Sequence, residues 1–274
     1  MPRLILHIGI MKTGSSALQR FFARNRAVLP AFGLHYPKAT AADGRPLEKH
    51  ADIVEALQSE VATGSPHPRL GPARDVLERY LSRAERRRTT LLSAEGLAVH
   101  RYPGAQLFEG LQQRFDIRVV VFLRRQDEWA LSTYREHVMR PDIAESRPFR
   151  DWVEAPEIQA QMDYDGLLTA WMRAVGEENI RVLRYPHELP LLPSFLKAAD
   201  LPRALLSLPF HTARVKESVT DTVLLDQLVA NGGVPQKPDL SQEERDQLLD
   251  TFQRSNYLAK NRFRPELGPL FAMD

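Results

Sequence analysis

Cysteine is absent from this 274-residue chain, which excludes disulfides and thiolate metal sites and leaves the redox compartment undetermined. An excess of charge of either sign is absent too. The 37 Lys and Arg against 35 Asp and Glu leave a net charge of +2, so there is no global electrostatic case for nucleic acid or a membrane surface. Long apolar runs are also missing: Leu4 to Met11 is too short to span a bilayer, and Lys12 interrupts it. A soluble, cytoplasmic protein with no membrane span and no nucleic-acid partner is expected. There is no internal repeat, no low-complexity segment, no HExxH and no clustered Asp/His set. His35-x-x-Lys38 and His50-x-Asp52 are too sparse to argue for a metal site.

What is present is a hydrophobic content of 43%, enough for a sizeable core, in a length that suits one α/β domain over 1–274. Apolar runs mark strands at Leu4–Gly9, Thr89–Ser93, Arg118–Leu123 and Ile180–Tyr185, with a short extended segment at Gly33–Pro37. The β-branched, uninterrupted run at 118–123 suits the centre of a parallel sheet. Helical periodicity follows Ser16 and returns at 51–61, 75–88, 106–114, 126–138, 164–175, 191–199, 220–230 and 242–260, while 38–48 reads as irregular. Strands alternating with helices imply a parallel α/β sheet with short right-handed crossovers.

The most informative segment is the first. An apolar strand runs through Gly9 into Ile10-Met11-Lys12-Thr13-Gly14-Ser15-Ser16 and then into the helical pattern Ala17-Leu18-Gln19-Arg20-Phe21-Phe22. A strand, a tight loop with Gly and Lys, and hydroxyls opening a helix make a phosphate cradle, because the helix-start N–H groups and the helix dipole both favour an anion. Ser and Thr also suit a capped surface turn. The Walker loop requires Lys after its second Gly, and here Lys12 precedes Gly14.

Strand-Lys12-Thr13-Gly14-Ser15-Ser16-helix resembles the 5′-phosphosulfate loop of sulfotransferases that use 3′-phosphoadenosine 5′-phosphosulfate (PAPS). A second anchor follows the strand at 118–123. Those enzymes carry an Arg and, eight positions later, a Ser that together bind the 3′-phosphate, and Arg124 and Ser132 stand at that spacing. Arg124 would leave the carboxyl edge of the sheet, where open α/β sheets bind ligands, and its fork suits a phosphate. Tyr185, in Val182-Leu183-Arg184-Tyr185-Pro186, is similar to the family's aromatic at the adenine. Arg214-Val215-Lys216-Glu217-Ser218 resembles its late basic loop, although many bacterial relatives carry Asn where Lys216 stands. The pattern is most similar to bacterial proteins related to carbohydrate sulfotransferases. The resemblance implies a P-loop-like three-layer fold with a central parallel sheet flanked by helices. It also implies transfer of a sulfuryl group from PAPS to a hydroxyl of a carbohydrate or small-molecule acceptor, with 3′-phosphoadenosine 5′-phosphate as product and no metal required.

Sulfuryl transfer needs stabilised charge on the transferring group and a base for the acceptor hydroxyl. Lys12 and the amides of Thr13 to Ser16 suit the first task. The family's base is a His or a Glu after the second strand, and Glu95, just past Ser93, is the first choice. His50 and His100 are rivals, while His7 reads as a satisfied core residue. Trp152, Tyr164 and Trp171 suit either a sugar site or the core. Two other readings stay open: a small-molecule kinase using ATP, which should show Gly-Lys in the loop, and a non-catalytic nucleotide-binding protein of the same fold.

Overall fold

The structure, a computed structural model, describes residues 1–99, 103–185, 190–210 and 219–271. In chain order its regular elements begin with β1 (Arg3–His7), α1 (Ser15–Arg24), β2 (Leu34–His35), β3 (Ala39–Thr40) and β4 (Pro46–Leu47). Then come α2 (Ala51–Thr63), α3 (Ala73–Ala84), β5 (Thr89–Ser93), β6 (Asp116–Arg124) and α4 (Gln126–Met139). The short α5 (Phe149–Val153) and α6 (Pro156–Met162) precede α7 (Tyr164–Val175), β7 (Ile180–Tyr185) and α8 (Leu191–Ala198). The chain closes with α9 (Asp221–Ala230), α10 (Gln242–Thr251) and α11 (Gln253–Phe263). It forms two compact units, Met1–Leu123 with Leu167–Ala213, and Arg124–Gly166 with Arg214–Asp274.

The first unit holds a five-stranded parallel sheet in the order β2-β5-β1-β6-β7, flanked by helices, which is the expected α/β class. β1 is central: Ile5 lies opposite Leu91 of β5 on one side and Arg118 of β6 on the other. The strand expected at the centre, β6, is its interior neighbour, and Val119, Val120, Val121 and Leu123 are wholly buried. Such runs bury both faces under helices. Phe21 and Phe22 of α1 and Phe195 and Leu192 of α8 pack with Ile5, Leu91 and Phe122 into one core, each large side chain stabilising the fold by about 1.5–3 kcal/mol.

The second unit is helical. Trp129 of α4 stacks on Trp152 of α5 at 6.4 Å between ring centroids, and Tyr134 meets Trp152 edge-on at 5.3 Å. Asp127, fully buried, accepts from Arg125 and from Arg245 of α10, each at 2.9 Å. A buried carboxylate between two guanidiniums fixes α10 on α4, because removing either cation would strand a charge. Trp152 and Tyr164 here, and Trp171 in the first unit, are all core residues, at most 1% exposed.

The fold departs from the periodicity in four places. Residues 106–114 form two 3₁₀ turns, Gly104–Phe108 and Leu111–Gln113, because Glu109 between them is extended. Part of 38–48 forms the antiparallel pair β3–β4. The pattern at 242–260 is two helices that meet at buried Phe252, and α10 starts with a Ser241–Glu244 capping box. Helices α5 and α6 carried no sequence expectation. Among the described residues no helix is long and apolar enough to cross a membrane.

Candidate functional site

β1 ends at His7, and the chain then turns through Gly9–Gly14 before α1 begins. Two glycines permit that turn. A Cβ on Gly9 would stand 2.3 Å from Ser15 Oγ, and one on Gly14 would stand 2.9 Å from Leu191 Cδ2. Gly14 is also left-handed, with φ 80°. Lys12 has φ 65°, a conformation that costs a non-glycine residue about 1–2 kcal/mol. Strain of this kind collects where a loop is shaped for a task. Thr13 donates its hydroxyl to the Ile10 carbonyl at 2.6 Å and lies 3.4 Å from Ser15 Oγ. Thr13 and Ser15 are buried, Lys12 is half-buried and Ser16 is exposed. α1 has no side-chain cap and no acidic residue in its first turn, so the positive end of its dipole is not offset locally.

A buried polar group supports this loop from below. Ser93, the last residue of β5, places its hydroxyl 2.8 Å from His7 Nδ1 and receives the Gln19 side-chain amide at 3.1 Å. Its backbone N–H donates to His50 Nδ1 at 3.0 Å, and its carbonyl accepts the His50 backbone N–H at 2.8 Å. Burial lowers the His7 imidazole to about 4 and the His50 imidazole to about 3. His50 has no exposed surface and is held edge-on by Tyr36 and Tyr80. His7 is buried, at 2% exposure, as its place in the strand implied, but it is not fully satisfied, because its Nε2 has no hydrogen-bond partner among the described residues.

Glu95 starts a 3₁₀ turn two residues beyond β5, and its side chain is 15% exposed. Lys49 donates to its Oε2 at 2.9 Å. Tyr185, at the end of β7, sets a ring edge 3.3 Å from where a Gly14 Cβ would be, so its ring rests on the loop that precedes α1. The first unit thus carries Lys12 to Ser16 and Glu95 beyond, and Tyr185 at, the carboxyl ends of three parallel strands, the place where open α/β sheets bind ligands.

Arg124 is the last residue of β6, and its Nε lies 3.2 Å from Glu128 Oε2. Ser132 is half-buried in α4, one helical step of four beyond Glu128, so the two share a face of that helix. His100, Arg214 and Lys216 lie outside the described residues. Sequence reading missed Gln19, Lys49 and Ser93. Ser93 had a signal, a polar residue closing an apolar strand, whereas nothing in the local pattern marks Lys49. Among the described residues no group of three or more His, Asp and Glu is arranged to hold a metal ion.

No protein-family model and no curated protein matches the chain. A solved structure does: a sulfotransferase from Alicyclobacillus acidocaldarius is similar over 95% of this chain and 94% of its own, with a TM-score of 0.51 and 15% identity. The chain therefore has a sulfotransferase-like α/β fold.

Proposed function

We propose that this protein is a sulfotransferase that takes a sulfuryl group from PAPS to a hydroxyl of a carbohydrate or small-molecule acceptor, within one domain spanning 1–274. The observation that carries the reading is the loop: Lys12 strained into a left-handed conformation beside Gly14, opening an uncapped helix in a sulfotransferase-like fold. The loop fits an anion, since Gly9 and Gly14 exclude side chains and the start of α1 attracts negative charge. The nucleotide, when bound, supplies the sulfuryl group and a phosphate leaving group.

In this reading the Ser15 and Ser16 amides and the Lys12 ammonium hold the 5′ end and stabilise charge that grows as transfer proceeds. Tyr185, against Gly14, offers its ring to the adenine. Arg124 and Ser132 bind the 3′-phosphate, with Arg124 exchanging Glu128 for it. Arg214 and Lys216, outside the described residues, are nucleotide contacts only by the family resemblance. We assign the proton acceptor to Glu95 over His50, because Glu95 retains exposed surface and His50 has none. A carboxylate there removes the acceptor's proton, and Lys49 orients it.

The test is transfer of radiolabel from PAPS to a panel of glycan and small-alcohol acceptors, with and without Mg²⁺. Labelled product is expected. Phosphoryl transfer from ATP instead would replace this reading with a kinase.

A further inference from the structure

The turn that carries the chain from Arg124 into α4 is held by residues far along the sequence. The Arg124 carbonyl accepts the phenol proton of Tyr164, which has no exposed surface. Gln126 has none either. Its side-chain amide donates to Asn256 Oδ1 at 2.8 Å and to the Met162 carbonyl at 3.3 Å, and its Oε1 accepts from Asn256 Nδ2 at 3.1 Å. The Met162 contact sets which end of the Gln126 amide is the donor. Asp127 follows, and Arg245 of α10 reaches it.

Two consecutive residues of α11 stand behind the contacts on either side of Arg124. Asn256 holds Gln126. Ser255 donates to Asp163 Oδ1 at 2.7 Å and accepts the Asp165 backbone N–H at 2.9 Å, so it pins both neighbours of Tyr164. All of these residues belong to the second unit. An apolar seam of the same volume would hold the helices together at least as well. What a paired, buried polar network adds is rigidity in one arrangement. Arrangement matters for Arg124, because its side chain is long and flexible. Where the guanidinium arrives depends on where its backbone is held.

We propose that Ser255 and Asn256 are positioning residues. Acting through Tyr164 and Gln126, they keep the Arg124 backbone in one place and so aim its guanidinium. The C-terminal helices thereby take part in selecting the nucleotide. The inference rests on the reading that Arg124 binds a 3′-phosphate.

Two measurements test it. The double variant Gln126→Met/Asn256→Leu removes both amides and keeps the packing, so its melting temperature should stay close to that of the wild type. Its calorimetric affinity for 3′-phosphoadenosine 5′-phosphate should fall about tenfold, the effect of one weakened charge-assisted contact, with ADP affinity unchanged. Ser255→Ala should act in the same direction, and Ser255→Thr, which keeps the hydroxyl, should recover the loss. A lowered melting temperature with equal losses for both nucleotides would mark a structural role only and overturn the proposal. Because a variant can fold poorly, ¹⁵N relaxation of the Arg124 Nε–H, assigned with Arg124→Lys and measured without nucleotide, is the second readout. An ordered Nε–H in the wild type that becomes mobile in the folded variants is expected. A mobile Nε–H in the wild type, or equal order in wild type and variants, overturns the proposal. Order lost in the variants beside equal wild-type affinity for the two nucleotides sinks the 3′-phosphate reading alone. A wild-type preference that survives in the variants sinks the positioning role alone.

Discussion

Ser93 Oγ stands 2.8 Å from His7 Nδ1, joining the last residue of β5 to the last residue of β1 beneath the loop that opens α1. The same serine holds His50 through its backbone N–H and carbonyl. Two neutral imidazoles therefore depend on one strand end.

That arrangement predicts acid sensitivity. An unfolded chain protonates its histidines near pH 6.5, while the folded protein holds His7 at about 4 and His50 at about 3. The unfolded state binds more protons below pH 6.5, so the stability these groups supply is complete above that pH. It is lost as pH falls towards 4 and then 3. His7 alone accounts for on the order of 3 kcal/mol of this loss. Asp52, raised by burial beside Tyr80, acts in the opposite sense just above the ordinary carboxylate range. Urea unfolding from pH 7.5 to 4.5 should show a steep decline that is shallower in His7→Gln, and parallel declines would contradict the assignment.

Lys12→Ala should lower kcat by about a hundredfold to a thousandfold while weakening nucleotide binding much less, since its contact strengthens as charge develops. Single-turnover kinetics beside calorimetry separates the two effects. An unchanged kcat with proportionally lost affinity would make Lys12 a binding residue only.

Glu95→Gln keeps the shape of the side chain and removes the proton acceptor, so activity should fall by about 10²–10⁴-fold with nucleotide affinity intact. Lys49→Ala removes the cation 2.9 Å from the carboxylate and should cost less, because the acceptor remains while its anchor is lost. A Glu95→Gln variant that turns over normally would remove Glu95 from the mechanism.

Glu128 competes for Arg124 at 3.2 Å. Glu128→Gln should therefore tighten 3′-phosphoadenosine 5′-phosphate binding and leave ADP binding unchanged. Equal effects on the two nucleotides would show that Arg124 does not select between them.

What could be read from the sequence followed local pattern. β6 is a run of apolar, β-branched residues, and the turn of Lys12, Thr13 and Gly14 into Ser15 and Ser16 declares a strand, a loop and a helix start within a few residues. The helix break at Phe252 was not legible, because its burial is decided by packing and not by periodicity. The 3₁₀ turns around Glu109 have apolar spacing like an α-helix and differ only in backbone angles. The Lys49–Glu95 pair and the His7–Ser93 contact join residues 46 and 86 positions apart, and such contacts arise from strand order in the sheet. Glu95 could be chosen from the resemblance, but its lysine partner could not.

In the proposed function, Arg124 and Ser132 read a 3′-phosphate. Each charge-assisted hydrogen bond to that group contributes about 1.5–3 kcal/mol, so two of them should favour 3′-phosphoadenosine 5′-phosphate over ADP by at least about a hundredfold. Isothermal calorimetry of both nucleotides, on wild type and on Arg124→Ala, measures this directly. Strong preference in the wild type and its collapse in the variant are expected. Equal affinity for the two nucleotides in the wild type would contradict it.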